Sequence, residues 1–435
     1  MVRLVWLAIV AVGCGDDLPV DRGFLDIVGH HDLGARGMNS AIAIADDVVY
    51  VGSRIDNARI AIIDVADPAQ PIAVGEIPGL VGMSSRELRA VADRDTLVVL
   101  SMRCDPELHG CAAAGAEPEA IKLYDIADRR APVLAGTYRI AGTSFNRPRS
   151  PHEMYLRRDG DHVVLYVAAP PSAPSLEVID ITDIHQPVRV AGWDPSEQGL
   201  HSAGGDDILH SVSASLDGTR LFLSHQLGGL FVADVAALPT IALITPPEAG
   251  LDFAPPASVG PHSAVEVPGR DLLIVTEEVY PVPYGTGCPW GTLRTVDVSD
   301  PAAPRVVGEF GLPENDPAIC AQSAFERVAF TAHNVTATHD LAFATWYAGG
   351  LQVIDLADPA KPRQLVELRP EPLAAVAVED PALGGNAVEM WSYPIIKDGL
   401  IYVVDARNGL YVLRYGGLHS DQVLGEDFLE GNSNL

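Results

Sequence analysis

The chain has 435 residues, 48% of them hydrophobic, with 40 glycines and 34 prolines, a mixture that suits short strands between turns and excludes a mainly long-helical protein. Its formal charge of −29 repels phosphate backbones and excludes nucleic acid as a partner. The length admits one large core or two to three ordinary domains.

Near the start of the sequence one arginine, Arg3, precedes a nine-residue apolar run, Leu4 to Val12. The run is too short to span a bilayer and has the length of a signal-peptide core. It ends in Ala-Val-Gly-Cys, so residues 1–14 read either as a signal peptide with a lipobox-like end, Cys14 becoming the lipidated first residue, or as an ordinary secretory signal cut nearby. Export to a bacterial cell envelope is expected, with membrane attachment only through lipid at Cys14. Residues 15–23 read as a linker. Once Cys14 is lipidated, Cys104, Cys111, Cys288 and Cys320 remain, an even number that in an oxidising compartment predicts two disulfides.

From Phe24 to Tyr415 one pattern repeats. An apolar run ends in an aspartate at Asp64, Asp125, Asp180, Asp234, Asp297 and Asp355, and a seventh, shorter copy has Arg414 there. Each unit holds four strand-like runs, in the first copy Ala41–Ala45, Val48–Gly52, Ile60–Val65 and Ile72–Ile77. Asp-Pro pairs such as Asp67-Pro68 and Asp358-Pro359 mark the turn between the third and fourth runs. The fold class is therefore all-β, and four antiparallel strands repeated seven times predict a seven-bladed β-propeller. The last copy lacks a fourth strand. "FLDIVGHH", Phe24 to His31, is expected to supply it and close the ring, leaving 24–415 as the propeller and 416–435 as a polar acidic tail.

The segments "LQVIDLADPAKP" and "LEVIDITDIHQP" resemble the LVIVD repeats of bacterial proteins. The resemblance implies the fold and leaves the function open.

Aligned by their turns, the innermost strands carry one column: Asn39, Arg86, His152, His210, His262, His333 and Trp391. In a propeller such positions surround the mouth of the central channel, so four imidazoles from consecutive blades converge there. Imidazole suits copper, iron or zinc, and His152, His210, His262 and His333 are the expected metal ligands. Glu153 is the expected catalytic carboxylate, an auxiliary ligand or proton carrier. Asn39, Arg86, Glu87, Trp391, His31, His201 and His225 are expected to line the pocket. The architecture is similar to that of the nitrous oxide reductase propeller and of selenium-binding protein/methanethiol oxidase relatives, although none of their linear motifs occurs here. The four cysteines fall in three long loops on the same face, and pairing by loop favours Cys104–Cys111 and Cys288–Cys320 among three possible connectivities. Two functions fit: an envelope protein with a histidine-lined transition-metal or small-ligand site, a metal-dependent oxidoreductase if it turns over, or a non-catalytic lipoprotein that binds or scaffolds another envelope protein.

Overall fold

The computed structural model describes residues 23–55, 59–104, 119–140, 143–144, 147–148, 151–169, 175–200, 208–226, 228–253, 259–383 and 387–435. Cys14, Cys111 and His201, and with them the lipidation site and the Cys104–Cys111 pairing, lie outside these residues. No helix among the described residues is long and apolar enough to cross a membrane.

Strands dominate, arranged mainly in antiparallel sheets, three of four strands, two of five and one of eight among the described residues. The first unit runs Asn39–Ala45, Val48–Ser53, Ile60–Asp64 and Ile72–Ile77, and a single pair, Ser53 with Ser85, joins it to the next unit. Burial falls from inside to outside. Every residue of the two inner strands of the first unit is buried, whereas five of six in Ile72–Ile77 are exposed. Inner strands covered on both faces read as continuous apolar runs such as Ala-Ile-Ala-Ile-Ala, and period-two alternation is lost there.

Neighbouring sheets pack face to face. Tyr50 and Ile62 of the first unit share a core with Leu97 of the second, and Tyr166 of the third shares one with Phe231 of the fourth. Phe343 packs with Leu413, and Ile42 with Tyr402, so the last sheet touches both the one before it and the first. The fold is a β-propeller. Strand Phe24–His31 pairs antiparallel with Gly409–Gly416.

The repeated aspartates are turn residues. The Oδ1 atoms of Asp64, Asp125, Asp180, Asp234, Asp297 and Asp355 each accept the backbone N–H two residues on, at 2.8 to 2.9 Å. This is the Asx-turn geometry that fixes the strand exit.

Residues 416–435 are not a solvated tail. Helix Ser420–Leu424 leads to strand Phe428–Glu430, antiparallel to Ile395–Lys397, and then to Ser433–Asn434, parallel to Glu153–Asp159. The segment thus joins two sheets that are not neighbours, and Glu430, Asn432 and Ser433 are buried. At Gly431 a Cβ would meet the Val335 carbonyl oxygen at 1.8 Å, so glycine is required for the chain to pass. The polar composition that reads as a tail serves instead to satisfy inward-facing groups: Gly431 N–H donates to Thr336 Oγ1 at 2.9 Å and Asn432 Nδ2 to Glu153 Oε1 at 3.2 Å.

Cys288 and Cys320 form a disulfide across 32 residues. It ties the long loop after Leu272–Glu277 to helix Pro317–Phe325, which Asp316 caps by accepting Ala318 N–H at 2.8 Å. Loop-closure entropy for that separation is worth about 3–4 kcal/mol. A Cys288→Ser/Cys320→Ser variant is expected to lose that much unfolding free energy in a urea titration, and an unchanged midpoint would show that the loop is held by its other contacts.

Candidate metal centre

Two of the four histidines occupy positions where strand pairing is interrupted, and the other two, His152 and His333, stand just before strands Glu153–Asp159 and Val335–Ala337. His210 lies at the register break between Leu209 and Ser211, and His262 at that between Pro261 and Ser263. The same interruption recurs between Ser85 and Leu88, where Arg86 sits, and between Asn39 and Ile42. A β-bulge turns a side chain out of the alternation of its strand, so the repeat aims these residues along the axis.

The structure brings His152, His210, His262 and His333 together in an arc. Successive ring centroids are 4.3, 4.3 and 4.0 Å apart, and the Nε2 atoms of His152 and His210 are 2.8 Å apart. The Nε2 atoms also face one carboxylate, Glu278. Its Oε1 lies 3.2 Å from His333, and its Oε2 lies 3.6 Å from His262 and 3.8 Å from His210. His262, Glu278 and His333 present donor atoms within 4.8 Å of one another, as do Glu153, His210 and His262.

Glu278 is the residue that the repeat alignment misses. It follows strand Leu272–Glu277 and opens the long loop to Cys288, so it never appears in a column drawn on innermost strands. The only signal in the sequence is the Glu-Glu pair at the head of that loop.

The outer nitrogens are fixed. His333 Nδ1 donates to the Trp391 carbonyl at 2.6 Å. His210 Nδ1 donates to Ser211 Oγ at 2.8 Å, and that hydroxyl donates to Glu153. Both imidazoles therefore turn a lone pair inward at Nε2. Both nitrogens of His262 are buried without a hydrogen-bond partner among the described residues. Such an orphan is rare in a folded interior and calls for a ligand or a special role.

Burial pushes His152 and His262 well below the usual histidine range and His210 down to about 4, with neighbouring imidazoles adding to the effect at all three and Arg86 at His152 and His210. These rings are neutral near pH 7, the form in which imidazole ligates metals. Burial alone would raise Glu278, but the facing His333, His262 and His210 hold it well below the usual carboxylate range. Tyr347 donates its hydroxyl proton to Glu278 Oε1.

Glu153 faces the outer side of His210. Its oxygens are taken by Ser211, by Tyr393 at 2.8 Å and by Asn432. Burial and then Glu87 raise it to about 7. Its place is that of an orienting group behind His210.

Among the residues expected to line the pocket, Arg86 lies with its guanidinium 5.7 Å from the Trp391 ring, and Trp391 stands edge-on to His333 at 5.7 Å. Three others are engaged by neighbours of their own. Asn39 donates to the carbonyls of Asp405 and Ala406 and accepts from Arg36, stitching the first and last sheets together. His31 accepts Leu33 N–H at 3.0 Å, because a tight turn at the end of strand Phe24–His31 captures it. His225 is paired with Gly229 in its own sheet and packs edge-on against Phe231. Glu87, one residue past Arg86, turns to Arg89 at 3.2 Å.

The LVIVD repeat model matches residues 36–77 and 288–311, the first stretch covering the whole first unit and the second covering strands Leu293–Asp297 and Arg305–Phe310. This chain carries LVIVD repeats. Two solved structures share the fold of the LVIVD-repeat propeller. Sqt1 of Saccharomyces cerevisiae is 12% identical, with 92% of this chain and 100% of that chain covered and a TM-score of 0.50. A protein from Lactobacillus plantarum is 13% identical, with 76% and 85% covered and a TM-score of 0.52. No curated protein sequence matches the chain.

Proposed function

We propose that this LVIVD-repeat protein is an exported, cell-envelope metalloprotein. In this reading its sheets form seven blades, with strand Phe24–His31 completing the last. His152, His210, His262 and His333, together with Glu278, hold one transition metal at the channel mouth. Neutral imidazoles with one carboxylate suit copper, iron or zinc. The observation that carries the reading is the convergence of Nε2 atoms on Glu278, with His262 buried and unpartnered in their midst. If the protein turns over, redox chemistry on a small molecule is the class such a metal serves. Export and lipidation at Cys14 rest on the N-terminal sequence.

The test is elemental analysis of purified protein beside a His210→Ala/His262→Ala variant. Stoichiometric metal in the parent and none in the variant is expected. No metal in the parent, even after reconstitution with copper, zinc and iron salts, would sink the reading and favour the scaffolding lipoprotein. Ser211→Ala separates Glu153 from His210 and is expected to weaken metal binding about tenfold to a hundredfold, as loss of an outer-shell partner does. Competition against a chelator measures this, and an unchanged affinity would remove Glu153 and Ser211 from the site.

A further inference from the structure

We propose that the centre takes a small anionic ligand, a carboxylate or similar oxyanion, and that Arg86 is the residue that binds its negative end. The inference rests on the metal reading above and adds the class of ligand to it.

Arg54, Arg89 and Arg294 are matched by carboxylates, whereas Arg36 is satisfied by Asn39 and the carbonyls of Arg59, Val51 and Gly52. Arg54 lies 3.5 Å from Glu389 and 3.9 Å from Asp380. Arg89 lies 3.2 Å from Glu87 and 3.5 Å from Glu430, and Arg294 meets Glu277. Arg86 has no hydrogen bond or ion pair with any described residue, although acidic side chains outnumber basic ones 58 to 29. It stays unpaired, half-buried, against the face of Trp391.

Its position is defined by the repeat. Arg86 is the column residue of the second unit, and His152 is that of the third. His152 is also the one member of the arc that is partly exposed, while His210, His262 and His333 are buried. The side of the arc open to solvent is therefore the side next to Arg86.

Charge points the same way. Around a divalent ion, four neutral imidazoles and one carboxylate leave one positive charge, and Arg86 adds a second. A partly desolvated site with two net positive charges favours an anion, even within a molecule of net charge −29. A planar guanidinium with free donors pairs with carboxylates and similar oxyanions in a two-bond geometry, and that of Arg86 lies over the Trp391 ring, 5.7 Å from its centroid. Long-range repulsion from the acidic surface is screened at physiological salt, so it slows entry without abolishing binding.

The experiment is calorimetric titration of formate and of azide into the parent, Arg86→Gln and Arg86→Lys proteins, each in metal-loaded and metal-stripped form. Elemental analysis and circular dichroism are run on the same samples. Loss of the charge-assisted bonds is expected to weaken formate binding about tenfold to a hundredfold in Arg86→Gln, with metal content and fold unchanged, and Arg86→Lys is expected to recover part of the loss. Equal affinity in parent and Arg86→Gln, or no saturable binding of either anion to the parent, would overturn the proposal. A parent that takes up no metal overturns the metal reading instead. Binding to the stripped protein that still depends on Arg86 would then uphold the anion subsite.

Discussion

Replacing His262 with leucine is expected to abolish metal binding while leaving the metal-free protein as stable as the parent, or more so. The two effects separate because His262 makes no hydrogen bond among the described residues, yet it is buried at the centre of the arc. A buried polar group without a partner costs about 1–3 kcal/mol, and leucine of similar volume removes that cost. His333→Leu provides the contrast. It breaks the bond to the Trp391 carbonyl and leaves Glu278 without its nearest imidazole, so it is expected to destabilise the metal-free protein by a similar amount. Urea titration of both metal-free variants measures stability, and chelator competition measures affinity. Affinity should fall by more than about a hundredfold in His262→Leu, beyond the loss of an outer-shell partner. A His262→Leu protein that keeps the parent's metal content would show that the ring is packing material.

Arg89→Met is expected to be the most destabilising single change, lowering the unfolding free energy by about 3–5 kcal/mol near neutral pH. Arg89 is buried between Glu87 and Glu430 and lies 5.4 Å from the Tyr393 ring. Methionine fills most of the space and leaves two carboxylates without their cation. Burial raises Glu430, and Arg89 pulls it back. A carboxyl raised in the folded state holds its proton there above the pH at which the unfolded chain releases it. Its contribution is therefore present at low pH and is lost as pH rises through the folded value. Without Arg89 that value rises further, so the deficit of the variant should be greatest near neutral pH and shrink under mildly acidic conditions. A loss that is the same at both pH values, or below about 1 kcal/mol, would mean that the carboxylates are neutralised by other means.

The fold was legible because each unit is written locally. The six aspartates that recur after apolar runs accept the same turn hydrogen bond in the structure, and a short-range rule repeated along the chain survives divergence. The histidine column was legible for the same reason: duplication keeps the register, and the register places His152, His210, His262 and His333 side by side. Glu278 was not, since it enters from a different strand and no repeat position foretells it. Asn39, His31 and His225 show the reverse limit, because position along a repeat does not reveal whether a neighbouring carbonyl, amide or ring has already claimed the side chain. The segment 428–434 misled through composition, since polar residues are read as solvated unless the groups that receive them are known.

Timing follows from that last segment. Residues 428–434 are synthesised after the other strands of the two sheets they join, yet Asn432 holds Glu153, and Glu153 holds His210 through Ser211. A nascent or prematurely terminated chain can carry all four imidazoles and still lack the clamp behind one of them. Assembly of the centre thereby waits on a segment made after all of its ligands, and an ion captured earlier meets an unfinished frame.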